Sequence, residues 1–265
     1  MSKIIVAIGG GEFPRKKSNG DITPYEIKEI HREIVSIANK EKSNILILNH
    51  ALENDEFEIN GFNCLKNCFE QNFICNCKPL YKNELENNEK VDELIEWADI
   101  IYENGGNTEF LMNLWKKTGF DEKIIEAYNN EKVISGVSAG AICLFNCGNS
   151  DKYLSQELNK VDGLNIIDAY FCPHYNNSGK YESVKSSLNI LNMVGISLTN
   201  SCAIEIIDDK YRLIKGDGTN YNIDPYGIKS YWKNGEYIEE KMDDSLEYKA
   251  AKELFDTNVQ SNLKK

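Results

Sequence analysis

The stretch Lys132-Val133-Ile134-Ser135-Gly136-Val137-Ser138-Ala139-Gly140-Ala141-Ile142-Cys143-Leu144-Phe145 decides how the chain is read. A short β-branched run, Lys132–Val137, enters a Gly-x-Ser-x-Gly turn, and an apolar run with Ala141, Ile142, Leu144 and Phe145 leaves it as a helix. Between a strand and a helix such a turn is strained and lifts the serine hydroxyl above the end of a sheet. It also aims the next backbone N–H and the new helix N-terminus at any oxyanion formed there. Ser138 is therefore the expected nucleophile; the competing reading is a serine that only caps a helix.

Outward from this turn, strand-like and helix-like segments alternate. Lys3–Ile8 is a strand closed by Gly9-Gly10-Gly11. Thr23-Pro24-Tyr25-Glu26 has the form of a helix start, with a threonine cap, a first-turn proline and a capping-box glutamate. Ile27, Ile30, Ile34, Ile37 and Ala38 follow at helical spacing. Strands are expected over Asn44–Leu48, Asn72–Cys77 and Ala98–Glu103, with helices over about Glu56–Gln71 and Glu89–Trp97. A helix through Phe110, Leu111, Leu114 and Trp115 comes next, then one capped by Asp121. Repeated βαβ units predict an α/β fold, a mostly parallel sheet with helices on both faces. In the C-terminal third, Ala203–Ile207, Tyr211–Lys215, Ile228–Trp232 and Glu236–Ile238 read as antiparallel strands added at one edge, the last two joined at Asn234-Gly235. From Asp243 onward a last helix is expected, with Tyr248, Ala251 and Phe255 on its packed side. With no linker or repeat, residues 1–265 are expected to form a single domain.

Composition narrows the class. Apolar residues make up 41% and charged residues 27%, ordinary for a globular protein. The formal net charge of −12 argues against nucleic acid as a partner. No run approaches the ~20 apolar residues of a membrane span, and the N-terminal apolar run is too short for a signal peptide, so a cytoplasmic protein is expected. The spacings Cys64-x-x-x-Cys68 and Cys75-x-Cys77 do not match a structural zinc site. The eight cysteines read as reduced, buried thiols.

A serine nucleophile needs a base, and three histidines are available. His31 lies within a predicted helix and reads as a surface or boundary residue; His50 follows a strand and is the reserve. His174, in Cys172-Pro173-His174-Tyr175, stands at the end of the apolar run Ile166–Phe171, and Pro173 biases Cys172 to an extended conformation. Gly105-Gly106 can offer a second oxyanion donor, with Thr108 capping the helix that follows. Neither this turn nor Gly9–Gly11 meets a nucleotide-phosphate pattern.

Three blocks in this order, Gly105-Gly106-Asn107-Thr108 with Phe110-Leu111, Gly136-Val137-Ser138-Ala139-Gly140-Ala141 and Pro173-His174-Tyr175, resemble the dipeptidase E family of serine peptidases, which includes the cyanophycinases. The resemblance implies a fold related to class I glutamine amidotransferases, with serine in place of their cysteine. It implies Ser138 as nucleophile, His174 as base, backbone N–H groups near Gly106 and Ala139 as the oxyanion hole, and Gly105 and Asn107 as substrate-binding residues. It implies small peptide substrates, often with an aspartyl residue on the acyl side, and no metal or organic cofactor. Family members with a full triad carry a glutamate shortly before the strand that corresponds to Ala203–Ile207. No acid stands there in this chain. Asn200 is the nearest equivalent, and Glu205 is the alternative third member. Two other functions use the same residues: a hydrolase of esters or other amides, and a weakly active homologue that binds a peptide or acidic metabolite. Lys180, Lys152 and Arg15 are the basic residues considered for an acidic substrate. Specificity and oligomeric state are not readable, which leaves a homodimer open.

Overall fold

The computed structural model describes residues 2–17, 19–150 and 160–257. Strands β1 (Ile4–Ile8), β2 (Ser43–Leu48), β3 (Cys75–Pro79), β4 (Ile100–Glu103) and β5 (Val133–Val137) lie parallel in the order β1-β5-β4-β2-β3. Helices α1 (Lys28–Ile37), α2 (Asp55–Asn72), α3 (Asn88–Trp97), α4 (Thr108–Thr118) and α5 (Phe120–Asn129) connect them. Alternation along β1 explains the layering. Ile4, Val6 and Ile8 join the apolar cluster beneath α1 and α2, while Ile5 and Ala7 point into the larger core on the opposite face. Both faces of this strand are buried, so its sequence is a continuous apolar run.

Beyond β5 come α6 (Ala139–Ile142), β6 (Phe145–Asn149), β7 (Lys160–Asp162), β8 (Ile167–Cys172), α7 (Lys180–Leu191) and β9 (Gly195–Leu198). The chain continues through β10 (Cys202–Ile207), β11 (Lys210–Lys215), β12 (Gly227–Lys233), β13 (Glu236–Lys241), β14 (Lys249–Ala250) and α8 (Lys252–Phe255). The expected antiparallel extension is present: β10 pairs with β1, and β11 and β14 follow outward, completing an eight-stranded sheet. The β12–β13 hairpin turns at Asn234-Gly235 as expected, with φ of 53° and 80°. It pairs with β9, however, in a second, six-stranded sheet ordered β13-β12-β9-β8-β6-β7. That second sheet is not evident in the sequence pattern.

Several local expectations are overturned by tertiary contacts. The run after Ser138 makes only one helical turn, because Phe145 enters β6, pairs with Ile167 and stacks on Phe171 at 4.4 Å. The capping box at Thr23 does not form. Helix α1 starts at Lys28, the Thr23 hydroxyl accepts the Arg15 N–H at 2.9 Å, and Glu26 accepts the Glu12 N–H at 2.8 Å. Gly119, at φ 73°, precedes α5, so Asp121 lies in its first turn rather than at its cap. The last helix is the single turn α8, and Leu254 supplies its buried contact while Tyr248 and Phe255 are exposed.

His31 is not a surface residue; it is fully buried between two tyrosines. Its Nδ1 is 2.8 Å from the Tyr25 hydroxyl and its Nε2 is 2.9 Å from that of Tyr102. His50 is also buried. Its Nε2 donates to the Leu80 carbonyl at 2.8 Å, and its Nδ1 accepts the Trp115 indole N–H at 3.0 Å. Burial lowers His31 to about 3 and His50 to about 4. The unfolded chain regains a value near 6.5, so it binds the extra protons as pH falls below that point and folding is progressively lost. The expected slope between pH 6.5 and 5 approaches about 1.4 kcal/mol per pH unit for each histidine. Urea unfolding at pH 7, 6 and 5 measures it. His50→Gln, which keeps an acceptor and a donor, should reduce the slope by up to about 1.4 kcal/mol per pH unit; an unchanged slope would refute the assignment.

Candidate active site

The expected residues converge above the carboxyl ends of the parallel strands, where open α/β sheets place their sites. Ser138 follows β5 with φ 54° and ψ −108°, the strained turn that the motif demands. Its hydroxyl lies 2.9 Å from His174 Nε2. His174 follows β8 by way of Pro173 and is itself held at φ 53°. Its Nδ1 stands 2.6 Å from Oδ1 of Asn200, which lies in the turn between β9 and β10. An amide oxygen can only accept, so Nδ1 carries the proton and Nε2 presents a lone pair to the serine hydroxyl. Asn200 is itself buried, and its backbone N–H donates to Asn176 Oδ1 at 2.8 Å.

Glu205 does not reach the site. Its carboxylate accepts from Arg212 Nε and from the Tyr248 hydroxyl, each at 2.6 Å. His50, the reserve base, stays in the core with both ring nitrogens engaged.

The oxyanion donors expected from the sequence flank the serine. Ala139 is the first residue of α6, so its N–H has no intrahelical acceptor. A Cβ added to Gly105 would lie 3.3 Å from the Ser138 Cβ, which puts the Gly105-Gly106 turn directly against the elbow. Asn107, not Thr108, caps α4. Its side chain accepts the Phe110 N–H and donates to Glu53 Oε1 at 2.7 Å, so it serves the turn and does not line the cleft.

The sequence reading missed the role of Gly9-Gly10-Gly11. The Gly9 carbonyl accepts the His174 N–H at 2.8 Å, and the Gly10 carbonyl accepts the Ser201 N–H at 2.9 Å. A Cβ on Gly10 would fall 2.3 Å from Asn200 Oδ1 and 2.4 Å from His174 Nδ1. The strip is the floor on which histidine and asparagine meet. Three successive glycines at a strand end were the available signal, and no phosphate motif explained them.

Ser138, His174 and Asn200 open into a cleft of about 970 Å³. Phe13, Arg15 and Lys16 form one wall, and Phe57, Asn60 and Cys64 of α2 form the other. Arg15 is paired with the Glu12 carboxylate at 2.9 and 3.0 Å. Of the other basic residues considered, Lys180 is buried away from the cleft, donating to Asn149 Oδ1 at 2.6 Å, and Lys152 lies outside the described residues. The eight cysteines are free thiols, seven of them buried. Among the described residues no group of three or more His, Cys, Asp or Glu side chains could hold a metal ion, and no helix is long and apolar enough to cross a membrane.

The sequence model of peptidase family S51 matches residues 5–214. The chain is 31% identical over 175 residues to the uncharacterized peptidase YgaJ of Bacillus subtilis (strain 168), covering 65% of this chain and 69% of that protein. It is 40% identical over 85 residues to the uncharacterized peptidase Lin0382 of Listeria innocua, covering 30% of this chain and 40% of the relative. A crystal structure of a peptidase from an acI-B1 actinobacterium superposes with a TM-score of 0.64 at 19% identity, covering 94% of this chain and 97% of that one. At that identity the likeness speaks for the fold.

Gly10→Ala should uncouple the imidazole from Asn200 while leaving the sheet intact. A displacement of about 1 Å at a reacting group costs on the order of 10² in rate. Reaction with a fluorophosphonate should therefore slow at least a hundredfold with circular dichroism unchanged; a fully reactive variant would show that Gly10 does not set the geometry.

Proposed function

From the premise that this chain belongs to peptidase family S51, we propose that it hydrolyses short peptides, with an aspartyl residue on the acyl side, through a Ser138 acyl-enzyme. The observation that carries the reading is the unbroken line from Ser138 Oγ to His174 Nε2 at 2.9 Å and from His174 Nδ1 to Asn200 Oδ1 at 2.6 Å. In this reading Ser138 Oγ attacks the scissile carbonyl as its proton passes to His174 Nε2. The Gly106 and Ala139 N–H groups hold the oxyanion. His174 returns the proton to the leaving amine, the C–N bond breaks, and water then attacks the ester by the same route in reverse. A cleft of about 970 Å³ suits a peptide of a few residues. Arg15, which is paired with Glu12, and Lys16 are the cations in its wall that an aspartyl side chain would meet.

The neutral third member sets the expected rate. Asn200 fixes the tautomer but supplies no countercharge to the imidazolium. A carboxylate within 4–6 Å would raise the basicity of the ring by about 1–3 units. Asn200→Asp should therefore raise kcat roughly tenfold, and Asn200→Leu should lower it.

Two measurements test the reading. A fluorophosphonate should label the native chain and not Ser138→Ala; equal labelling of both removes Ser138 as nucleophile. A library of dipeptides and short peptides should show cleavage after aspartate, weakened by Arg15→Gln mainly through KM. Labelling without peptide cleavage, together with turnover of simple esters, would instead favour a hydrolase of non-peptide substrates.

A further inference from the structure

Glu103 is a fully enclosed carboxyl group that the mechanism above does not use. It ends β4, beside Leu48 of β2 and Gly136 of β5, one residue before the Asn104–Asn107 turn. One oxygen, Oε1, accepts the Ala51 N–H at 3.1 Å, and the His50 N–H is also turned to the carboxyl group. The other, Oε2, is buried without a hydrogen-bond partner. His50 Nδ1, 3.9 Å away, is already occupied by the Trp115 N–H and has no proton to give. Cys143, Glu58, Lys82 and Tyr102 are further ionisable groups that interact with it. Burial pushes this carboxyl group well above the usual carboxylate range. A buried acid with an orphan oxygen is costly, so its placement calls for a reason.

The contacts that run outward from it supply one. Ala51, fixed by Glu103, turns its carbonyl to the Asn107 N–H at 2.8 Å. That same carbonyl lies where a Cβ on Gly106 would be only 2.3 Å away, so the Gly106 backbone rests directly on Ala51. On its other side, the Glu103 backbone carbonyl and Cγ press on Gly140, at 2.3 and 2.9 Å from the position of a Cβ there. Gly140 is the second residue of α6, next to Ala139. Glu103 thus stands between the two proposed oxyanion donors: it holds Ala51, on which Gly106 rests, and it touches Gly140, the neighbour of Ala139.

We infer that Glu103 is a positioning residue that sets the Gly106 and Ala139 N–H groups at the spacing the oxyanion needs, through its bond to Ala51 and its contact with Gly140. The inference rests on the Ser138 nucleophile reading. A carboxyl oxygen is required as acceptor; its charge is not. Glutamine should therefore serve, and methionine, of similar length but with no oxygen, should not.

The test is the inactivation kinetics of the full chain by a fluorophosphonate, whose phosphoryl oxygen occupies the oxyanion position in the adduct. Glu103→Met should lower the maximal inactivation rate at least tenfold with the half-saturating probe concentration within twofold of the native value. Glu103→Gln should restore the rate to within threefold. A folded methionine variant that reacts at the native rate overturns the inference, as does a loss carried by probe binding instead. If the methionine variant does not fold, the glutamine variant decides, and a tenfold loss there overturns it. Native chain that is not labelled, or labelled equally after Ser138→Ala, removes the nucleophile reading itself, an outcome distinct from labelled native chain with an indifferent Glu103.

Discussion

Three consecutive backbone carbonyls at the end of β1 hold the site together. Ile8 accepts the Ser138 N–H at 3.0 Å, Gly9 the His174 N–H at 2.8 Å and Gly10 the Ser201 N–H at 2.9 Å. Each donor belongs to a non-glycine residue at positive φ: 54° at Ser138, 53° at His174 and 59° at Ser201. Such conformations cost about 1–3 kcal/mol each and persist only where the surroundings over-determine them. Here the over-determination comes from β1, which is buried on both faces and paired on both edges, parallel to β5 and antiparallel to β10. The strain of three turns is thus carried by an interior strand of the sheet. Histidine and asparagine can then meet over Gly10, where no side chain intervenes.

Much of this was legible in the sequence, because it is written locally. The β-branched runs and helical periodicities placed most elements of the parallel sheet, and the Gly-x-Ser-x-Gly turn marked its own strained geometry. Pro173-His174 marked a strand end. What was not legible depends on partners distant in the chain. Phe145 looked helical beside Ile142, but stacking on Phe171 and pairing with β8 draw it into a strand. Thr23 and Glu26 had the form of a helix cap, yet both are engaged in bracing the loop that carries Arg15. His31 could not be told from a surface histidine until Tyr25 and Tyr102 closed on it. Periodicity reports which face is apolar, and it does not report which element covers that face.

The third member shows the same limit from the other side. Sequence order offered Asn200, the nearest equivalent, with Glu205, five residues on, as the alternative. Of the two, only Asn200 stands against His174, because Glu205 lies within β10 and is bound to Arg212 and Tyr248. Asn200 lies in the turn before β10, next to Ser201, whose N–H is held by Gly10. A residue in that turn shares the anchor that fixes His174, whereas a residue in the strand does not.

A neutral orienter also suits the way this site is built. A carboxylate in the place of Asn200, which is 4% exposed, would carry a desolvation penalty whenever the imidazole is neutral. Asparagine carries no such penalty, and its Oδ1 holds the neutral His174 in the Nδ1–H tautomer. In the proposed reaction the cost falls on the transition state, where the imidazolium has no facing charge. There the geometry of the three residues would be maintained by backbone hydrogen bonds, and the electrostatic stabilisation of the developing charges would be left to the N–H groups around the serine. In such a site, a small displacement of those N–H groups should matter more than in one where a buried carboxylate shares the load.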